Sequence, residues 1–180
     1  MKKTILVCGA IAGAIVSTEM LIGMSYMSHC SGQVGYNTSM LIGYASMLIA
    51  FSLVFVGIRR YRDQYNGGAI SFGKAFKVGF LIVLVASTMY VGSWLIDNFF
   101  FMPDFGEKFA ARTLEELKAS GASQAVIDKK TAEMASFTQM YRNPIINALI
   151  TYSEILPMGL IVTFISSLII KKKAAVTKAE

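Results

Sequence analysis

Two carboxylates stand inside apolar stretches of this chain: Glu19, in a run from about Thr4 to Met27, and Glu154, in the run that ends near Ile170. An ionised side chain buried in a bilayer costs several kcal/mol unless it is paired or hydrated. Apart from Lys77 at the start of the third run, no Lys, Arg or His lies within the apolar runs. The two carboxylates must therefore share or hold protons, or bind a metal or substrate cation. With the midpoints of their runs near positions 15 and 157, each Glu falls roughly 4 to 6 Å outward of the bilayer centre. Ser17 and Thr18, Tyr44 and Ser46, Ser87 and Thr88, and Thr151, Tyr152 and Ser153 fall at about the same level and could complete one polar layer. Pro157, three residues beyond Glu154, removes a backbone hydrogen bond, a feature that recurs in transporters. The chemistry these residues fit is a proton-linked or cation-binding pocket. A plainer role is equally physical: a protonated Glu bonded to Ser, Thr or Tyr of a neighbouring helix holds a bundle together.

The elements that must position these residues are helices. Of the 180 residues 54% are hydrophobic and 16% charged, and the mean hydropathy is +0.55, which removes an ordinary soluble enzyme as the default. Four runs are long enough to cross hydrocarbon, at approximately 4–27, 38–58, 75–96 and 144–170. The first is read as a span, because its hydrophobicity continues past the small-residue positions Ala10 and Ala12 where a signal peptide would end. A lipoprotein signal fits poorly, since Ile5, Leu6 and Val7 precede Cys8, which reads as an apolar filler. Gly9, Gly13 and Ser17 form a small-xxx-small face that lets another helix approach closely, within the chain or in a dimer. The link 59–74 is basic, with Gly67-Gly68 as a turn and Ser71 as an N-cap. After Trp94, Asp97 and the cluster Asn98 to Pro103 mark an interface. Residues 104–142 carry six basic and six acidic residues. Gly121 splits them into two amphipathic helices whose apolar positions Phe105, Phe109, Leu117, Val126, Met134 and Phe137 fold onto each other or lie on the membrane. The i,i+4 pairs expected there are Asp104 with Lys108, Arg112 with Glu116, and Lys129 with Glu133. Asn143 and Pro144 start the last span as N-cap and first-turn proline. The fold class is all-α: an integral membrane four-helix bundle with a small extramembrane helical hairpin between the third and fourth spans.

Cations set the orientation. Lys2 and Lys3, five in the 59–77 segment, and Lys171, Lys172, Lys173 and Lys178 make eleven on one side, against six in the balanced segment. The positive-inside rule then puts both termini and the basic loop in the cytoplasm and the 104–142 cap outside. The net charge of +6 follows from this topology and calls for no nucleic-acid partner, since no reading motif accompanies it. Arg59, Arg60, Arg62, Lys74, Lys77, Lys171, Lys172 and Lys173 are the candidate lipid-headgroup contacts.

Other chemistry is poorly served. Cys8 and Cys30 lie roughly 33 Å apart on a continuous helix, too far for a disulfide. His29 is the single histidine, and His29 with Cys30 supplies too few ligands for zinc. Gly67-Gly68 lacks the Lys-Ser/Thr ending of a phosphate-binding loop. No hydrolase triad or zinc-protease motif is present, and no metal, cofactor or catalytic residue is expected.

The segment Tyr61-Arg62-Asp63, followed by Gly67-Gly68-Ala69-Ile70-Ser71-Phe72-Gly73-Lys74-Ala75-Phe76-Lys77-Val78-Gly79, resembles a signature of small bacterial membrane proteins catalogued as domain of unknown function 4199. The likeness extends to four spans with a helical insert before the last. It implies a bacterial inner-membrane home, with members common in Bacteroidetes, and carries no activity, catalytic residue or ligand with it.

Three functions compete. The first is a non-enzymatic structural or accessory membrane protein, with membrane lipids and a homo-oligomer or envelope-protein partner. The second is a proton- or cation-linked transporter or channel-like protein using Glu19 and Glu154, which requires the two carboxylates to converge. A membrane enzyme on lipid or isoprenoid substrates would need Asp-rich or His-rich metal motifs at a membrane face, and these are missing.

Overall fold

The computed structural model describes residues 2–29 and 36–172, with side chains over 2–25 and 41–172. Cys30 and Lys173 lie outside the described residues, as does the side chain of His29. The described residues form α1 (Lys2–His29), α2 (Tyr36–Tyr65), α3 (Phe72–Ile96), a π-helical turn (Asp97–Phe101), α4 (Phe105–Ala119), α5 (Gln124–Tyr141) and α6 (Pro144–Ile170). Four stretches are long and apolar enough to cross a membrane: Lys2–Ser25, Leu41–Tyr65, Phe72–Phe101 and Pro144–Ile170. The chain is a multi-pass membrane protein.

Two boundaries differ from those expected. The basic loop 59–74 is largely helical, because α2 runs on to Tyr65 and α3 already begins at Phe72. Hydropathy marks where hydrocarbon ends, whereas a helix continues into water until something stops it. Here the stop is Gly67 (φ 61°) and Gly68 (φ 76°), left-handed positions that glycine takes without a Cβ penalty. The Gly68 amide donates back to the Arg62 carbonyl at 3.0 Å, closing the helix end. The third span also does not finish at Ile96. It passes into the π turn, where the Met102 amide donates to the Asp97 carbonyl at 2.9 Å, and the aromatic cluster becomes part of the helical rod.

The chain divides into two compact units, residues 1–92 with 152–180, and residues 93–151. In the first, α1, α2 and parts of α3 and α6 pack around a core that includes Phe51, Val54, Ile58, Ile82, Val83 and Ile155. Small residues set the spacing of these helices. A Cβ on Gly9 would stand 2.7 Å from the Val85 Cβ, and one on Gly13 would stand 2.9 Å from the Met89 Cβ. The register Gly9 to Val85 and Gly13 to Met89 makes α1 and α3 run in the same direction, with the small-residue face of α1 turned to α3 inside the chain. Gly79 lies against Thr163 and Ile58, and Gly159 against Val83 and Phe51, so α6 runs opposite to α3. The up-down alternation of four spans follows from these contacts.

The second unit holds the helical hairpin. Trp94 packs edge-on against Phe105 with centroids 4.8 Å apart, and Phe109, Phe137 and Tyr141 continue the cluster, with Phe137 and Tyr141 centroids 4.7 Å apart. Arg142 joins Glu107 at 2.6 Å across the two helices, and Gly106 of α4 faces Thr138 and Tyr141. Phe105, Phe109 and Phe137 thus fold onto each other, while Val126 is exposed. Asp104 pairs with Lys108 at 2.7 Å and Arg112 with Glu116 at 3.2 Å. The Lys108 hydrogen bond holds the Asp104 carboxyl below the usual carboxylate range. The third expected pair is corrected: Glu133 takes Lys130, three residues away, at 3.1 Å, rather than Lys129, because i,i+3 and i,i+4 neighbours are both within reach on a helix. At the start of α6 the Asn143 Oδ1 accepts from the Ile145 and Ile146 amides at 2.9 and 3.3 Å, the cap expected there.

Candidate functional site

The side chains expected to form one polar layer fall into three places. The first lies between α3 and α6. Tyr152 Oη donates to Thr88 Oγ1 at 2.9 Å, and Thr88 Oγ1 donates to the Leu84 carbonyl at 2.8 Å, so each hydroxyl proton is used. Glu154 is on the exposed side of α6. Its position follows from helical spacing: Ile155 is fully buried, and its neighbour turns about 100° away. Pro157 sits within α6 without ending it.

Glu19 occupies the second place. It lines an open groove of about 610 Å³ between α1 and α2 with Thr18, Ser46, Ile15 and Ile49. Ser46 turns back on its own helix, donating to the Ile42 carbonyl at 2.6 Å. Glu154 is not among the residues that line this groove, and among the described residues no hydrogen bond or ion pair joins Glu19 to Glu154. Ser17 and Ser87 are buried in the packed interior, and their hydroxyls have no partner among the described residues.

The third place belongs to the second unit. Thr151 Oγ1 donates to the Asn147 carbonyl at 2.9 Å. Asn147, fully buried, accepts from the Trp94 indole N–H at 3.0 Å and donates to the Tyr141 carbonyl at 3.2 Å. Sequence reasoning missed Asn147. An amide in an apolar run needs partners as much as a carboxylate does, so Asn147 was detectable in principle.

The basic side chains gather where α2 ends, α3 begins and α6 ends. Arg62 is committed inward: its Nε lies 2.7 Å from Asp63 and its Nη1 donates to the Ile170 carbonyl at 3.4 Å, which satisfies an orphan acceptor at the C-terminus of α6. Arg59 reaches Asp63 at 3.8 Å, and Arg60 donates to Gln64 at 3.1 Å. Lys74 donates to Asn66 Oδ1 at 2.5 Å and stands 5.8 Å above the Tyr61 ring. Lys77, Lys171 and Lys172 are exposed. No group of three or more His, Cys, Asp or Glu side chains comes together among the described residues.

A basic turn carrying Gly-Gly between two spans and a helical hairpin before the last span define the membrane architecture of the described residues. The family described as Protein of unknown function (DUF4199) matches residues 8–172. The chain belongs to this family. The match covers nearly the whole chain, from within the first span to beyond the end of the fourth, with the turn at Gly67 and Gly68 and the hairpin between. No curated protein and no solved structure matches the chain. Membership in DUF4199 therefore carries the architecture and assigns no ligand.

Proposed function

We propose that this DUF4199 member is a non-enzymatic structural or accessory protein of the bacterial inner membrane, with both termini in the cytoplasm and the α4–α5 hairpin outside. The observation that carries this reading is the different setting of the two intramembrane carboxylates: Glu19 lines the α1–α2 groove, which Glu154, on the exposed side of α6, does not line. The Tyr152–Thr88 bond between α6 and α3 supports it further, since in hydrocarbon such a bond holds helices together, while Thr88, Ser46 and Thr151 spend their protons on carbonyls of their own helices. The basic ends of α2, α3 and α6 rest among anionic headgroups, and the hairpin offers a surface to an envelope protein or a second copy of the chain.

The rival is a proton- or cation-linked transporter using Glu19 and Glu154, and reconstitution separates the two. The purified protein in vesicles loaded with a pH-sensitive dye is expected to leak protons and monovalent cations no faster than protein-free vesicles, with Glu19→Gln and Glu154→Gln indistinguishable from the parent. Flux in the parent that disappears in both variants would replace the accessory reading with transport.

A further inference from the structure

We propose that the turn before α3 and the end of α6 form a binding site for a phosphate-bearing anion, and that the headgroup of an anionic membrane phospholipid supplies it. The site is a cavity of about 650 Å³ lined by Asn66, Ser71, Phe72, Lys74, Lys171 and Lys172 among others. That size lies in the range of small-molecule pockets. Three lysines and no acid line it.

The backbone builds the cavity in two steps. Gly67 and Gly68 reverse the chain after α2. Then Ile70 and Lys172 exchange backbone hydrogen bonds, Ile70 amide to Lys172 carbonyl at 2.9 Å and Lys172 amide to Ile70 carbonyl at 3.0 Å. With Ile70 buried beneath this bridge, the Lys171–Lys172 segment is fixed beside Ser71 instead of trailing from α6. Two segments a hundred residues apart in sequence therefore bring their cations to one cavity.

The donors are set in advance. Asn66 takes one of the three N–H groups of Lys74 and leaves two for a ligand. Ser71 Oγ caps α3 by accepting from the Lys74 amide at 3.4 Å, so its own proton remains available. Phe72, the first residue of α3, lines the same space, and the first-turn amides of a long helix favour an anion there. Asp63, near the end of α2, is taken by Arg62 and Arg59.

A lipid is favoured over free phosphate by what adjoins the cavity. Phe72 meets Phe164 edge-on at 5.6 Å, and Phe164 and Leu168, one turn apart on the same face of α6, are exposed, an apolar strip that would take acyl chains next to a bound headgroup. The inference rests on the headgroup-level position of these lysines proposed above. It is independent of whether the protein transports, so the flux assay and the assay below fail separately.

The test uses the full chain in a neutral detergent and reads the melting temperature as short-chain phosphatidylglycerol, phosphatidylcholine of the same chain length, or inorganic phosphate is added. The parent is expected to show a saturable upward shift with phosphatidylglycerol, little with phosphatidylcholine and a weaker one with phosphate. Lys171→Gln/Lys172→Gln leaves the backbone bridge intact and is expected to weaken the phosphatidylglycerol response about 10- to 30-fold in concentration, at about one kcal/mol per lysine near a membrane surface. Lys2→Gln/Lys3→Gln, with the same loss of charge, keeps the parent response. Equal shifts with both lipids, or equal loss in the two double variants, would overturn the site. A phosphate response as strong as that of phosphatidylglycerol would overturn the lipid assignment. Native mass spectrometry of the parent gives a mutation-free check: one phosphatidylglycerol retained per chain is expected, and none retained contradicts the proposal.

Discussion

Asn147 shows how much a single buried amide can hold. It accepts from the Trp94 indole at 3.0 Å and donates to the Tyr141 carbonyl at 3.2 Å, linking α3, α5 and α6 within one unit. Removing it strands a buried N–H and a carbonyl, each costing about 1–3 kcal/mol when left unsatisfied. Asn147→Ala is therefore expected to lower unfolding stability in detergent by about 2 kcal/mol and to shift Trp94 fluorescence, whereas an unchanged melt and spectrum would remove the amide from the scaffold. The carboxylates teach the reverse. Glu19 and Glu154 were visible in the sequence because charge is rare in apolar runs, and their rough depth followed from counting residues. Which way each points was not legible, since it depends on the rotation of each helix about its axis. That rotation is fixed by contacts such as Gly79 with Thr163 and Gly13 with Met89, between residues far apart in the chain.

At the scale of elements, glycine decides how closely helices approach. A Cβ on Gly79 would stand 2.7 Å from the Thr163 Cγ2 and 2.9 Å from the Ile58 Cδ1, both in a fully buried region. Gly79→Ala is expected to destabilise by about 1–3 kcal/mol through overpacking. Gly43→Ala meets nothing within 4 Å and is expected to be neutral or to stabilise by up to about 1 kcal/mol from helix propensity. Thermal unfolding of the pair checks the sign difference; two similar melts would deny that Gly79 sets the α2–α3–α6 spacing. Gly9 and Gly13 announced themselves by their four-residue period. Gly57, Gly79 and Gly159 carry no such period, because each meets a different neighbour, and they escaped the sequence. The four apolar helices and the α6 cap were legible because burial in lipid and capping are local properties of the chain. The continuation of α2 to Tyr65 was not, because hydropathy reports the solvent and not the hydrogen-bond ladder.

At the scale of the whole molecule, topology gives the first prediction. With the hairpin outside, Ser120→Cys in a background carrying Cys8→Ala and Cys30→Ser is expected to react with an impermeant thiol reagent added to intact cells. Labelling only after lysis would invert the orientation and move the lysine cavity to the outer face. The second concerns the separation of Glu19 and Glu154, on which the accessory reading depends. A double-mutant cycle of Glu19→Gln, Glu154→Gln and their combination, read as unfolding free energy in bicelles across pH, tests that separation most directly. Independent sites add to within about 0.5 kcal/mol, and additivity at every pH is the result expected for carboxylates on different faces. A coupling above about 1 kcal/mol that changes with pH would mean that the two groups share a proton or a cation, and would contradict the account.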